Sequence, residues 1–324
     1  MKSFKHIDVK TVEEASALLG KHKRKARMIA GGTDLLGILK DRILPSYPEV
    51  IINIKAIPKL DYIKEDRHGL RIGALTTLSE IAKSHVIKEK YKVLAEAADA
   101  VGSPQIRNMA TVAGNLCQDV RCWYYRYPHH IGGRMLCLRK GSGRCLALSG
   151  DNRYHAILEG KRCFAVCPSD MATALTALNA TISIAGIRGS RIVPVRDFFT
   201  TLGNVLKLGE MITEIQVSKP LEKTKQRFLK LTLRKPIDFA VVSVALVLYF
   251  EDGLCSEANI AIGAVAPVPI KAGTAEQIIK GRAITPEAAA KAAEAAMASA
   301  KPLSMNTYKV EMTKTLVKRA ILSQ

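Results

Sequence analysis

The sequence predicts an α+β protein in two units, with a change of character near residues 218–225. Three observations carry that expectation. The opening third mixes short apolar runs ending in glycine with helically spaced segments. Several β patterns then follow Pro220 in close succession, and the chain closes on an alanine-rich block that favours helix. The 324 residues, 48% of them hydrophobic, are enough for two or three cored domains, since domains commonly run about 100 to 200 residues. No internal repeat or low-complexity linker is evident.

Thr11 is a suitable N-cap for a helix over Val12–Leu19, and Ala26–Ala30 is a short strand stopped by Gly31-Gly32. A helix restarts over Asp34–Leu39, and Glu49–Ile54 is strand-like again. Gly69–Thr76 reads as a strand entering a small-residue turn, followed by helices from Leu78 to Ala82 and from Tyr91 to Val101. The run from Ile106 to Asn115 is small and polar, a place where backbone could approach a ligand closely. Beyond it, Pro168 with Ser169 or Asp170 as cap opens a helix over Met171–Leu178. Strands are expected over 180–184, 212–217, 228–233, 239–250 and 258–264, then helices over Thr285–Ala300 and Tyr308–Leu322.

Charge and cysteine usage narrow the function classes. The chain starts MKSFKHIDV without an apolar core to that segment, and no run approaches the roughly 18 apolar residues of a membrane span. A soluble, cytoplasmic protein with no membrane partner is expected. The formal charge of +20 favours anionic cofactors, acidic proteins or nucleic acid. Nucleic acid is the weaker choice, because only 5% of residues are aromatic and no recognition motif stands out. Seven cysteines, an odd number without a secretion signal, argue against a disulfide framework and for metal ligation or catalysis. Six of them fall between Cys117 and Cys167, alternating with Arg121, Arg126, Arg134, Arg139, Lys140, Arg144, Lys161 and Arg162, while Asp151 and Glu159 are the only acids from 121 to 163. Such a stretch suits a negatively charged metal cluster. No Ser-His-Asp order, paired carboxylates or nucleophile elbow suggests hydrolysis.

Ala30-Gly31-Gly32-Thr33-Asp34 offers unhindered N–H groups and a hydroxyl, the donors a pyrophosphate needs. It is neither G-x-G-x-x-G nor a P-loop, and alone it is only a strand-turn-helix. Thr111-Val112-Ala113-Gly114-Asn115 is a second such turn. The order of these two, with Ile72–Thr76 and Gln105–Asn108 between them and Pro168-Ser169-Asp170 after, resembles the FAD-binding medium subunit of the xanthine oxidase family of molybdenum hydroxylases, from Phe4 to the Tyr308-Lys309 region.

The resemblance implies a PCMH-type FAD-binding domain over 1–220 in two subdomains, about 1–57 and 58–220, and a smaller α+β domain of the CO dehydrogenase flavoprotein type over 221–324. It implies FAD held by Ile29, Ala30, Gly31, Gly32, Thr33, Asp34 and Leu35, by Thr76, by Ala110, Thr111, Ala113, Gly114 and Asn115, and by Asp170 and Lys271, with Asp238 near the flavin. Asp170 has a plainer alternative as an N-cap.

Residues 117–167 form an insertion that resembles those of the 4-hydroxybenzoyl-CoA reductase β subunit and the FAD subunit of a bacterial aldehyde oxidoreductase, which hold an extra [4Fe-4S] cluster. Residue by residue, the implied ligands are Cys122, Cys137, Cys145 and Cys163. Nearby Arg and Lys would stabilise such a cluster's negative charge. The spacing itself leaves iron–sulfur and zinc both open, and either Cys117 or Cys167 could replace one of the four. Cys255 reads as a buried structural thiol. His129, His130 and His155 read as surface or loop-packing residues, while Trp123, Tyr124 and Tyr125 could shield the cluster from water.

The chain is then expected to be an electron-transfer subunit, catalysing no substrate chemistry itself. The implied partners are a molybdenum-cofactor large subunit, a small [2Fe-2S] subunit and an acidic ferredoxin, assembled as a dimer of heterotrimers. Electrons are expected to pass between a ferredoxin-like partner, FAD and the [2Fe-2S] subunit as in 4-hydroxybenzoyl-CoA reductase; the alternative is outward flow, as in an aldehyde or purine/xanthine dehydrogenase. The reading of another class is a zinc-stapled basic module that binds nucleic acid.

Overall fold

A computed structural model describes residues 1–323 except Arg134, Ser142, Glu222, Lys235 and Pro236. Arg134, one of the cations of the cysteine stretch, therefore lies outside the described residues. Strands β1 (Lys5–Asp8), β2 (Ala26–Ile29) and β3 (Val50–Asn53) form a parallel sheet in the order β1-β3-β2. Parallel neighbours need crossovers. The first is the helix Val12–His22, capped by the Thr11 side chain, which accepts from the Glu14 N–H, and it buries Ala15, Ser16 and Leu19. After β2 the chain turns at Gly31-Gly32 into the helix Leu35–Lys40 and returns as β3.

β4 (Ile63–Asp66), β5 (Gly69–Gly73), β6 (Thr181–Gly186), β7 (Gly189–Pro194) and β10 (Met211–Ser218) build an antiparallel sheet in the order β4-β5-β10-β6-β7, with β8 (Phe199–Thr200) and β9 (Gly203–Asn204) as a short ribbon beside it. Helices Leu78–Lys83, Lys92–Asp99 and Asp170–Ala177 share a core with this sheet, in which Leu70, Ile72, Leu78, Leu94 and Leu175 are fully buried. The last sheet is an antiparallel meander of β11 (Thr224–Leu231), β12 (Val242–Glu251), β13 (Leu254–Gly263) and β14 (Ile270–Lys271). Helices Gly273–Ile279, Pro286–Met297 and Tyr308–Leu322 complete that unit. The alanine-rich block is helical with Ala289, Ala292, Ala293 and Ala296 buried, small side chains that let it pack closely. Among the described residues no helix is long and apolar enough to cross a membrane.

The architecture is α+β as expected, with three local departures. The small polar run from 106 to 115 is not open loop but two short helices, Pro104–Met109 and Val112–Leu116, because Ser103 and Thr111 each cap the amide three residues on. The strand expected from Phe239 begins only at Val242, leaving Phe239 in the connection. Strands β1 and β4 lack the apolar alternation that betrays a half-buried strand, since most of their residues face solvent at sheet edges.

Among its described residues, the segment 117–167 contributes only short helical turns, Trp123–Arg126 and His129–Gly132, and two single turns at Leu138–Lys140 and Leu146–Leu148. A segment without a ladder must find its backbone partners elsewhere. The C-terminal unit supplies several: Ile157 and Leu158 N–H donate to the Val265 carbonyl at 2.8 and 3.0 Å, Cys167 N–H to Ala266 at 2.9 Å, and Lys301 N–H returns a bond to Ile157 at 2.7 Å. The buried Lys309 amine donates to the carbonyls of His155 at 3.1 Å and Ala264 at 2.6 Å, joining the two units from inside.

Burial pushes the Lys309 amine down to about 7. An unfolded lysine holds its proton to about 10.4, so between these values the unfolded chain binds more protons and stability rises with pH. Denaturant unfolding of wild type and Lys309→Met at pH 6 and pH 9 should therefore show wild type gaining stability relative to the variant at the higher pH. An equal pH response in both would contradict this role.

Candidate functional site

The turn after β2 meets the second glycine turn at backbone distance. A Cβ on Gly31 would overlap the Met109 carbonyl and lie 3.2 Å from the Ala110 Cα, so no other residue permits the approach. Gly32 follows at φ 70°, the left-handed region that glycine enters without strain. Among the described residues, the amide N–H groups of Gly31, Gly32, Thr33 and Asp34 make no hydrogen bond to the protein. Four successive free donors at a turn make an anion-binding concavity. The second turn differs, because its Gly114 N–H is already satisfied by Thr111 Oγ1 at 3.1 Å. It supplies wall more than donors.

Two cavities meet over these turns. One, of about 320 Å³, is lined by Ile29 through Leu35, by Thr111, Ala113 and Gly114, and by apolar residues that include Ile38, Leu44, Leu75 and Met211. The other, of about 230 Å³, is lined by Ala110, Asn115, Arg121, Asp170, Lys230, Asp238 and Phe239. Thr33, Asp34, Gly114 and Gln118 line both. The free amides thus sit near the junction of an elongated groove, the form suited to a dinucleotide whose two rings lie on either side of a diphosphate.

The remaining expected cofactor residues sort clearly. Asp170 lines the second cavity, but it is not the helix cap: Ser169 caps, accepting from the Ala172 N–H at 3.0 Å, while its hydroxyl donates to Asn115 Oδ1 at 2.6 Å. Asp170 instead pairs with Lys230 at 2.7 Å, both side chains nearly buried. Burial raises its carboxyl, and the Lys230 ammonium works against that rise. Thr76 is buried and turned away from both cavities, donating to the Tyr62 carbonyl at 2.9 Å. Lys271 lies apart on β14, bonded to Asn259 and Asn179 at 2.8 and 3.1 Å, and lines a separate cavity beside Gly273 and Lys301.

Asp34 does more than line the groove. Its carboxylate takes Arg121 at 2.8 Å and Arg126 at 2.7 Å and accepts the Asp119 N–H at 2.8 Å, tying the first glycine turn to the start of the cysteine segment. Arg121 also donates to Gln118 at 2.8 Å and lies over the Phe239 ring with 4.4 Å to its centre. Sequence reading noted these arginines only as charge near cysteines. Their partners lie up to 92 residues away, beyond any local signal.

None of the seven cysteines forms a disulfide. Cys137, Cys145 and Cys163 are buried and Cys122 is partly so. The Cys145 thiol donates toward Cys163, and Arg139 Nε donates to the same sulfur at 3.3 Å; these contacts hold Cys163 toward the thiolate and push Cys145 up. Burial raises the Cys122 thiol to about 11, and both Cys163 and Cys137 are near enough to add to the rise. His155, expected as a loop-packing residue, is buried with Nε2 3.2 Å from Cys122 Sγ and its ring against Trp123 and Tyr124. Burial lowers it to about 4, so it is neutral near pH 7. Cys117 lines the first cavity, and Cys167 is buried near Asp170 and Arg139. Among the described residues no three His, Cys, Asp or Glu groups converge as a single metal ion would require.

Comparison with known families decides the class. Residues 2–220 match the FAD binding domain in molybdopterin dehydrogenase, and residues 227–324 match the CO dehydrogenase flavoprotein C-terminal domain. The chain is an FAD-binding medium subunit of the xanthine oxidase family. Among its relatives, the aldehyde oxidoreductase FAD-binding subunit PaoB of Escherichia coli is 34% identical over 97% of this chain and 96% of that protein. The nicotinate dehydrogenase FAD-subunit of Eubacterium barkeri is 30% identical over 89% and 83%. A solved carbon monoxide dehydrogenase from Hydrogenophaga pseudoflava, lacking the Mo-pyranopterin moiety of its molybdenum cofactor, superimposes with a TM-score of 0.80 at 29% identity, over 99% of this FAD-binding subunit and 96% of the other chain.

Two glycine variants separate site from scaffold in this FAD-binding subunit. Gly31→Ala should cost most of the FAD, read as flavin absorbance per protein, because its Cβ forces the two turns apart. Gly37→Ala, whose Cβ meets nothing within 4 Å in the adjoining helix, should retain FAD and gain about 0.5 to 1 kcal/mol in denaturant unfolding.

Proposed function

We propose that the joined cavities hold FAD with its diphosphate at the Gly31–Asp34 amides, its adenosine end in the larger cavity and its flavin in the smaller. The observation that carries this reading is the sharing of Thr33, Asp34, Gly114 and Gln118 between two cavities at a run of free amide donors. The smaller cavity suits a redox ring because charge stands around it: the Asp170–Lys230 pair, Asp238 and Arg121, with Phe239 as an apolar face. FAD, when bound, couples two-electron and one-electron carriers, and the residues named here bind it, orient it and set the charge around its ring. Lys271 has no part in that set.

In the same reading, Cys122, Cys137, Cys145 and Cys163 hold a [4Fe-4S] cluster. Cys122, Cys137 and Cys163 share one packing cluster and Cys145 lies near Cys163, with Arg139 donating to Cys163, an arrangement that suits a centre in which each thiolate meets its own iron. Arginine and lysine around the sulfurs would favour the reduced cluster and raise its potential. The chain would then relay electrons among FAD, this cluster and the [2Fe-2S] subunit of a complex whose large subunit carries the molybdenum cofactor. An acidic ferredoxin fits the basic insertion as the external carrier, since complementary charge speeds encounter.

Outward flow is the direction we adopt. Relatives at 30% and 34% identity are named as FAD subunits of a nicotinate dehydrogenase and an aldehyde oxidoreductase, and a dehydrogenase sends its substrate's electrons outward. Inward flow, as in 4-hydroxybenzoyl-CoA reductase, would use the same residues and a reducing ferredoxin.

Anaerobic isolation of the chain should give a yellow-brown protein with about one FAD and close to four iron and four acid-labile sulfide per chain, the stoichiometry of the cluster type. Cys137→Ser and Cys145→Ser should each lower iron while FAD stays bound. Full iron in both variants, or zinc in place of iron, would remove the cluster from this reading and leave the flavin.

A further inference from the structure

Two arginines share the single carboxylate of Asp34, whereas the other ion pairs around the smaller cavity, Asp170–Lys230 and Asp238–Arg234, are matched one to one. Of these charges, Asp34, Asp170, Asp238, Arg121 and Lys230 line the cavity itself. Arg121 is the arginine that faces it. Its Nη1 is taken by Asp34 and its Nη2 by Gln118, its plane lies on Phe239, and its Nε is buried without any hydrogen-bond partner. Arg126, by contrast, spends its Nε on the Val120 carbonyl at 2.8 Å and does not line the cavity.

A buried N–H without an acceptor costs about 1 to 3 kcal/mol, more for a charged group. Three contacts fix Arg121 in the wall of the smaller cavity with that N–H unpaired, where a bound ligand can supply an acceptor. Other buried nitrogens lack partners too, Arg227 Nε among them. Only Arg121 of these two lines the groove.

We propose that Arg121 is a cofactor-contacting residue that donates its Nε–H to an acceptor on the flavin ring system and sets the flavin's potential with its charge. This rests on the assignment of FAD to the groove. Reduction by two electrons and one proton adds one negative charge to the ring, and a cation held at hydrogen-bond distance favours that state. Arg121 also directly precedes Cys122 in the chain, so the contact joins the flavin cavity to the cysteine segment through one residue.

The test is a spectroscopic redox titration of the FAD-loaded chain, with FAD affinity measured in parallel, for wild type, Arg121→Gln, Arg121→Lys and Arg126→Gln. Arg121→Gln is expected to shift the flavin potential to more negative values and to weaken FAD binding roughly tenfold, the equivalent of one charge-assisted hydrogen bond. Arg121→Lys should recover most of the potential, because it keeps the charge. Arg126→Gln removes the other bond to Asp34 and should leave the potential at the wild-type value. An unchanged potential in Arg121→Gln, or an equal shift in Arg126→Gln, would reduce Arg121 to a brace for Asp34 and overturn the proposal. Absence of FAD from the wild-type chain would instead overturn the cofactor assignment beneath it.

Discussion

The groove over the glycine turns depends on two backbones touching. The Gly31 turn and the Met109–Ala110 corner meet so closely that a single methyl would separate them, and both cavities open from that seam. Side chains can repack around a substitution, whereas two fixed main chains yield only by moving the elements that carry them. Those elements are not free to move: β2 is hydrogen-bonded into its parallel sheet, and the Ala110 carbonyl accepts from the N–H of Leu78, at the start of a helix packed in the core of the antiparallel sheet, at 2.9 Å. The seam therefore holds the first sheet and the antiparallel sheet in one relation, and the groove inherits its shape from that relation.

Charge is arranged around the same seam. Asp34 belongs to the turn of free amides, yet its own carboxylate is taken up by Arg121 and Arg126. An acid beside a diphosphate would repel it; an acid neutralised by two guanidinium groups becomes an anchor for the segment that carries them. Among its described residues the cysteine-bearing stretch forms only short helical turns, and this anchor at one side and the Val265, Ala266 and Lys309 contacts at the other hold it in place.

How much of this could be read beforehand follows from distance along the chain. The helix over Tyr308–Leu322 and the turn at Gly31-Gly32 were legible with correct bounds, because capping, periodicity and glycine act within a few residues. Asp170 was legible as a residue near the second glycine turn but not in its pairing, since Lys230 stands 60 residues away on a strand whose own pattern gives no reason to expect a buried lysine. His155 was legible as a loop-packing residue, but nothing near it in sequence indicates that its partner is Cys122. Lys271 went the other way. Its position suggested the flavin, whereas local geometry gives its amine to two asparagines.

Lys309 and Val265 have a further meaning for how the protein is made. Synthesis runs from the N-terminus, so all four of Cys122, Cys137, Cys145 and Cys163 leave the ribosome before the carbonyl of Val265 and long before the amine of Lys309 that secure the stretch. Until those partners emerge, the thiols sit on a segment without a ladder. Order in time is thus built into the topology: the glycine turns, complete by Asn115, can close early, while the cysteine stretch reaches its final shape only when almost the whole chain is present.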